Sequence, residues 1–457
     1  MTKPLTPPPL EELFPLLVDP QDGTSRAARI FAASEPAPDG RYRHWDTLRR
    51  IKPPSGLTSQ EWWLAIKLAR RSMARELPLQ TPDGRRFTYG MPDPALELLY
   101  FIDQHASGEL LMPEAILEDE SAKRHYIVNS LIEEAIRSSQ LEGATTSRVV
   151  AKEMLRTGRK PRNRSEQMIL NNYNALMFMR REVEEELTPD LVLELHKIVT
   201  EGTLDNPDAA GRLQQPGEDR VAVFDRMSDL ILHEPPPAEL LPQRLQLMCN
   251  FANNREQQGG FMHPVVRAIL LHLWMGYDHP FEDGNGRTAR ALFYWSMESQ
   301  GYWVTEYLSI SRILRAAPAR YGRAYLFTET DEFDTTYFIL YQLSVIRRAI
   351  EELHVYVRRK IKEVKEFENL IRASDSFNYR QLALLGDAVR HPGHRYTILS
   401  HARSHNVTHE AARRDLLNLA RRGLLERTKI GRKYSFSPVG HLESRLSEMG
   451  ASKPHVI

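Results

Sequence analysis

Twelve consecutive residues, His279-Pro-Phe-Glu-Asp283-Gly284-Asn285-Gly286-Arg287-Thr-Ala-Arg290, gather the side chains that handle phosphate. Gly284 and Gly286 free the backbone for positive φ and close approach to a ligand. Their amides lead into a helix whose first turn offers unpaired N–H groups and a positive dipole end, an anion site. Arg287 and Arg290 stand three apart on that turn, so both can reach the same phosphates. Asp283 is a hard oxygen ligand suited to Mg2+ between phosphates. His279 takes a proton near neutral pH. Polyphosphate grip, metal and base together describe phosphoryl or nucleotidyl transfer. A surface turn with two solvated arginines would explain a bare Gly-x-Gly, but not six functional types in one loop.

The elements around this loop must be buried. Pro264 to Met275 is apolar on nearly every face (Val265, Val266, Ile269, Leu270, Leu273, Trp274), and Ala289 to Met297 repeats the pattern until Gly301. Helices apolar all round belong in a core. Met168 to Val183, Leu191 to Val199 and Leu245 to Asn253 are further helices by period. Between them Arg220-Val221-Ala222-Val223-Phe224 and Ile231-Leu-His233 flank a polar turn, which predicts a β-hairpin. His272 and His279 make no zinc pattern, because no His-Glu-x-x-His or third ligand accompanies them.

The chain's 457 residues predict two or three domains, and a net charge of +1 gives no sign of a polyanionic partner for the whole molecule. A single cysteine, Cys249, excludes an internal disulfide and suits a reducing cytosol. No apolar run approaches a membrane span and no basic-then-apolar leader opens the chain, so a cytoplasmic protein without membrane contact is expected.

The motif His279-Pro280-Phe281-x-Asp283-Gly284-Asn285-Gly286-Arg287-x-x-Arg290 resembles the signature of Fic-domain proteins at every defining position. The resemblance implies transfer of AMP from Mg-ATP to a Ser, Thr or Tyr hydroxyl of a target protein. It implies His279 as the base and Asp283 as the metal ligand. Gly284, Asn285 and Gly286 would cradle the phosphates, with Arg287 and Arg290 at their β/γ end. Upstream, Lys123 to Ser138 is an amphipathic pattern running into Ser138-Ser-Gln-Leu-Glu142-Gly143. This is similar to the inhibitory motif of self-inhibited family members, in which the glutamate pairs with the second arginine and fills the γ-phosphate space. By itself the string also reads as a helix C-terminus capped by Gly143. The hairpin resembles the family's flap, where Val221, Ala222, Val223 and Phe224 would hold a target segment as an added strand. Tyr321 lies where relatives contact adenine, but Thr328 stands where many carry asparagine. Two other readings stay open: the same pocket hydrolysing AMP from a modified protein, or a DNA-binding regulator that only senses nucleotide.

The flanks are read from pattern. Residues 1 to about 40 are Pro-rich with small helical patches and predict partial order at best. Thr58 and Glu61 form a capping-box pattern launching a helix with Trp62 and Trp63 in the core, and Thr81 to Tyr89 predicts a small hairpin. From Ile339 to Ile371 apolar residues step by three and four, a helix of roughly 50 Å whose second half is a dimer seam or a strut. Residues 376 to 438 read as three helices and a two-stranded ribbon, which resembles a winged helix. Arg413, Arg414, Lys429, Arg432 and Lys433 would face DNA. His401, His405 and His409 are separated by Asn406 and Thr408, which break the helix and argue against a metal. The expected fold is mainly α. It comprises an N-terminal extension (1–110), a Fic helical core with flap (111–345), a linker helix (346–374), a winged helix-turn-helix (375–440) and a tail (441–457).

Overall fold

A computed structural model describes residues 3–18, 23–107, 120–221, 223–224, 231–255, 260–372, 377–390, 393–430, 433–440, 442 and 444–446. The chain divides into two compact units, residues 1–109 with 130–350, and residues 110–129 with 351–457.

At the centre of the first unit two helices, Pro264–Asp278 and Asn285–Ser299, pack against each other across the connecting loop. Both are buried along nearly their whole length, as their uninterrupted apolar surface requires. His263 caps the first by accepting from the Val265 amide at 3.3 Å, with Pro264 in the N1 position that costs no hydrogen bond. Pro280 cannot continue that helix, and His279 leaves it in a left-handed conformation (φ 43°). Helix Pro189–Thr200 packs on the second of the pair and on helix Arg164–Arg181. Asn163 caps the latter through the Glu166 amide.

The helix that carries the suspected inhibitory residue runs Glu120–Leu141 and ends just before Glu142 and Gly143. The expected hairpin forms between Val223–Phe224 and Ile231–His233, paired Val223 with His233 and Phe224 with Ile231. Ala222, residues 225–230 and the side chains of Val223 and Phe224 lie outside the described residues.

The N-terminal segment holds the small helices expected of it, and they are more buried than its composition suggests. Leu10, Leu13 and Ile30 are buried and join Trp45, Trp62 and Trp63 in one cluster. Proline-rich composition lowered the apparent order of this stretch, but helices Leu10–Leu13 and Gly23–Ala32 still bury an apolar residue or two apiece. The Thr58/Glu61 capping box forms at 3.3 and 2.7 Å, and the hairpin pairs Arg75–Gln80 with Arg86–Tyr89. Lys67 and Arg70 from the capped helix meet Asp331 and Tyr337 in a buried network (Lys67 Nζ to Asp331 Oδ1, 2.8 Å).

Helix Thr336–Arg372 extends 37 residues, about 55 Å. In the second unit helices Tyr379–Arg390, Ile398–His405 and His409–Arg421 surround a core of Leu384, Leu385, Leu416, Leu419 and Phe436. The predicted ribbon, Leu425–Ile430 with Lys433–Pro438, gains a third strand, Tyr396–Thr397, on the other edge of Lys433–Pro438. Two residues are too few for a period to register. His401 is buried against Asp415 at 3.3 Å, and Arg380 closes on the same carboxylate at 2.7 Å. Arg413, Arg414 and Lys429 are exposed, while Arg432 and the side chain of Lys433 lie outside the described residues.

Candidate active site

The loop 279–284 is held from three sides. His196, on helix Pro189–Thr200, stacks on Phe281 with ring centroids 3.7 Å apart and planes 6° apart. Its Nδ1 accepts from the Gly211 amide at 3.0 Å, which leaves Nε2–H to donate to the Asp283 carbonyl at 2.9 Å. Burial lowers its pKa to about 4, so the ring is neutral at physiological pH. Arg220 donates to the carbonyls of Asp278 and His279 at 2.8 and 3.0 Å, and Gln214 bonds the Pro280 carbonyl through its amide at 2.9 Å. Below, Asp278 is buried in a pair with Arg244 at 2.6 Å and accepts from Trp274 Nε1 at 3.0 Å. His196, Arg220 and Arg244 carry no motif, so sequence alone gave no signal for any of them.

Inside the loop, Asn285 grips Phe281 twice, accepting from its amide at 3.0 Å and donating to its carbonyl at 2.8 Å. Those bonds fix the side-chain amide so that Nδ2 faces His279 Nδ1 at 3.3 Å. Burial, followed by the nearby His233 and Arg220 cations, lowers the His279 pKa to about 4. The imidazole is therefore neutral at pH 7 and able to accept a proton.

Gly284 caps the following helix at φ 88°, where a Cβ would lie 2.8 Å from Thr200 Cγ2. Gly286 opens a different space. A methyl there would overlap Glu142 Oε1 and lie 2.9 Å from its Cδ and 3.1 Å from Arg290 Nη1. The Glu142 carboxylate thus lies over the first turn of the helix, where an anion is best received.

Arg290, 1% exposed, donates to Ser138 Oγ from Nε at 2.8 Å, and from Nη2 to the Ser138 carbonyl at 3.2 Å and to Glu142 Oε1 at 2.7 Å. Its buried Nη1 has no acceptor among the described residues. Arg287 is enclosed completely, donating to the Val199 carbonyl at 3.0 Å and to Asp283 Oδ2 at 3.2 Å. The two arginines therefore make separate contacts in this arrangement: Arg290 meets Glu142, and Arg287 ties the loop to its neighbour helix.

Asp283 is half-exposed, with Oδ1 accepting from the Gly284 amide at 2.5 Å. A half-exposed carboxylate that keeps spare lone pairs beyond its bonds to Gly284 and Arg287 fits Mg2+, which takes one or two protein oxygens and completes its shell with water and phosphate. Tyr321 turns its hydroxyl inward to His272 Nε2 at 2.8 Å, and Thr328 bonds its own helix at Ala324.

Residues 186–297 match the Fic/DOC family. A protein adenylyltransferase Fic from Nematostella vectensis is 28% identical over 200 residues, 43% of this chain and 43% of that protein. A protein adenylyltransferase Fic from Drosophila grimshawi is 40% identical over 73 residues, 15% of this chain and 14% of the other. The chain spans less than half the length of the curated relatives it matches. Among solved structures, a Fic family protein from Desulfovibrio desulfuricans G20 superposes at TM-score 0.49 with 19% identity, over 77% of this chain and 98% of that one.

Proposed function

We propose that this chain, whose residues 186–297 match the Fic/DOC family, transfers AMP from Mg-ATP to a protein hydroxyl and restrains itself through Glu142. The observation that carries the reading is the seat of the Glu142 carboxylate, over Gly286 and against Arg290. That is the place a terminal phosphate would take, and the unsatisfied Arg290 Nη1 points at the same space.

With Glu142 displaced, the helix amides and Arg290 bind the phosphate tail; Asp283 would hold Mg2+, which would neutralise phosphate charge. Neutral His279 accepts the hydroxyl proton as the target oxygen bonds to the α-phosphorus. The bond from that phosphorus to the bridging oxygen breaks, and pyrophosphate leaves. Val223 and Phe224 would supply the edge against which an extended target segment pairs, a mode that relies on backbone rather than side chain.

Incubating the purified chain and candidate protein extracts with α-labelled ATP tests this. Label on protein should rise with Glu142→Gly and vanish with His279→Ala. Removal of AMP from prelabelled protein by the wild type, lost in Glu142→Gly, would instead favour hydrolysis with Glu142 positioning water.

A second activity rests on charge. Residues 377–440 hold twelve Lys and Arg against four Asp and Glu, a net +8 in a chain whose total is +1. Asp415 is consumed internally by Arg380 and His401. Arg413 and Arg414 lie opposite the buried stripe of Ala412, Leu416 and Leu419. This surface suits the phosphates of duplex DNA. Binding should weaken linearly in log salt, and Arg413→Ala with Arg414→Ala should flatten the slope by about two. Salt-independent or absent binding would end this reading.

A further inference from the structure

We propose that Glu134 is the fixed anchor of the inhibitory helix, so that release of Glu142 is a local opening of residues 140–143 and not a withdrawal of the helix. The inference rests on the reading that Glu142 blocks the nucleotide.

Glu134 lies two turns before Glu142 and is 2% exposed. Its carboxylate accepts from Ser309 Oγ at 2.8 Å and the Ser311 amide at 3.1 Å through Oε2, and from Ser311 Oγ through Oε1. These contacts cap the N-terminus of helix Ile310–Ala316, a segment with no part in the phosphate cradle. Further buried or half-buried bonds hold the same stretch of helix. Ser130 Oγ donates to the Tyr307 carbonyl at 3.1 Å, and Ser139 Oγ to that of Met168 at 3.2 Å. Asn172 Nδ2 donates to the Ala135 carbonyl at 3.2 Å. Residues 130–139 are thus tied to two separate parts of the core, residues 307–311 and helix Arg164–Arg181.

The last turn is built differently. The Glu142 amide reaches Ser138 at 3.4 Å and the Gly143 amide reaches Gln140 at 3.3 Å, long for backbone bonds. Gly143 stands at φ 105°, a conformation that ends the helix. The Glu142 side chain is 31% exposed, and the Gln140 side chain ties the turn to the Thr146 carbonyl at 2.8 Å. Opening this turn costs the Glu142–Arg290 bond, the Gln140–Thr146 bond and the 2.9 Å bond from the Ala144 amide to the Ser139 carbonyl, all at the half-exposed end, whereas withdrawing the helix would in addition strip the carboxylate of Glu134 of its donors inside the core.

Glu134 also matters to what remains. Ser138, which accepts from Arg290 at 2.8 Å through Oγ and at 3.2 Å through its carbonyl, lies one turn beyond Glu134 on the anchored stretch. When Glu142 swings away, Arg290 keeps both bonds and stays in place. Glu134 is therefore a positioning residue that acts through Ser138.

Hydrogen exchange with and without Mg-ATP, on the full chain, tests the inference directly. Amides 141–144 should exchange faster with nucleotide, while 131–139 stay as protected as before. A joint rise from 131 to 144 would overturn it. Independently, Glu134→Gln, or the milder Ser311→Ala, should raise AMP transfer about three- to tenfold in the wild-type chain. Each should leave the Glu142→Gly chain unstimulated. An equal loss of transfer in both backgrounds would mean Glu134 only holds the fold, and would overturn the role in restraint. If Glu142→Gly itself gave no stimulation, the reading of Glu142 as a block would fall, and the anchor with it.

Discussion

Gly286→Ala separates the space used by the carboxylate from the stability of the loop. A methyl there overlaps Glu142 Oε1 and comes within 2.9 Å of its Cδ, so the carboxylate must move and its 2.7 Å bond to Arg290 is lost. A charged hydrogen bond of this kind contributes about 1.5–3 kcal/mol. With Glu142 31% exposed, about 1–2 kcal/mol is realistic. Removing it alone, as in Glu142→Gly, should tighten ATP binding by roughly five- to thirtyfold. The methyl, however, fills the cradle that a phosphate oxygen must enter. Gly286→Ala should therefore disengage Glu142 yet bind ATP at least about tenfold more weakly than Glu142→Gly. Position 286 is helical, so a gain of about 0.5–1 kcal/mol offsets part of the lost bond, and stability should fall by no more than about 1.5 kcal/mol. The same change two residues earlier behaves otherwise. Gly284→Ala forces an alanine to φ 88° and a Cβ to 2.8 Å from Thr200, which together should cost about 2–4 kcal/mol. For a unit of some 330 residues that lowers Tm by roughly 3–6 °C. Calorimetric titration of ATP and thermal unfolding of the three variants are the assays. A Gly286→Ala chain that binds ATP as tightly as Glu142→Gly would refute the claim that phosphate passes over this glycine.

Several other outcomes can be measured. In the Glu142→Gly chain, the acid limb of kcat/KM should lie near pH 4 or below, because His279 is neutral down to about 4 and loses the carboxylate that raises its pKa; a limb at 6–6.5 would contradict the burial argument. His44, His196 and His272 are held neutral in the fold, with pKa values lowered to about 4, 4 and 3. Since the unfolded chain takes up these protons first, stability is complete above about pH 6.5 and should decline as pH falls toward 4, read as a falling Tm. His196→Phe keeps the stack on Phe281 but strands the Gly211 amide and the Asp283 carbonyl, at about 1–3 kcal/mol each. AMP transfer should then fall at least tenfold, and retained full activity would show the loop needs no such brace. Asp278→Asn breaks the buried pair with Arg244 and should destabilise by about 3–5 kcal/mol in thermal or denaturant unfolding.

What could be read from the chain depended on distance along it. The loop from His279 to Arg290 stood out as a candidate site because its groups fall within twelve residues, and the two core helices were legible because their apolar surface is unbroken. Capping at Thr58 and the short hairpins follow from local chemistry. The braces do not: His196 reaches Asp283 across 87 positions, Glu134 reaches Ser309 across 175, and Arg244 reaches Asp278 across 34. No periodicity records such pairings. Arg287 illustrates a subtler limit. Its spacing from Arg290 suggested a shared ligand, but the close neighbour helix captures its guanidinium at Val199. At the N-terminus, composition pointed one way and two or three well-placed leucines and isoleucines the other, and burial decided it.

Under the proposed function, the bond between Arg290 and Glu142 would make the carboxylate a tethered competitor, present at an effective concentration fixed by the short turn that holds it. Such a competitor cannot be diluted, but it can be outnumbered. Because Arg290 Nη1 has no acceptor among the described residues while Glu142 is seated, a free triphosphate would offer a bond that the tether does not. The restraint would then be a graded threshold set by how much nucleotide surrounds the protein.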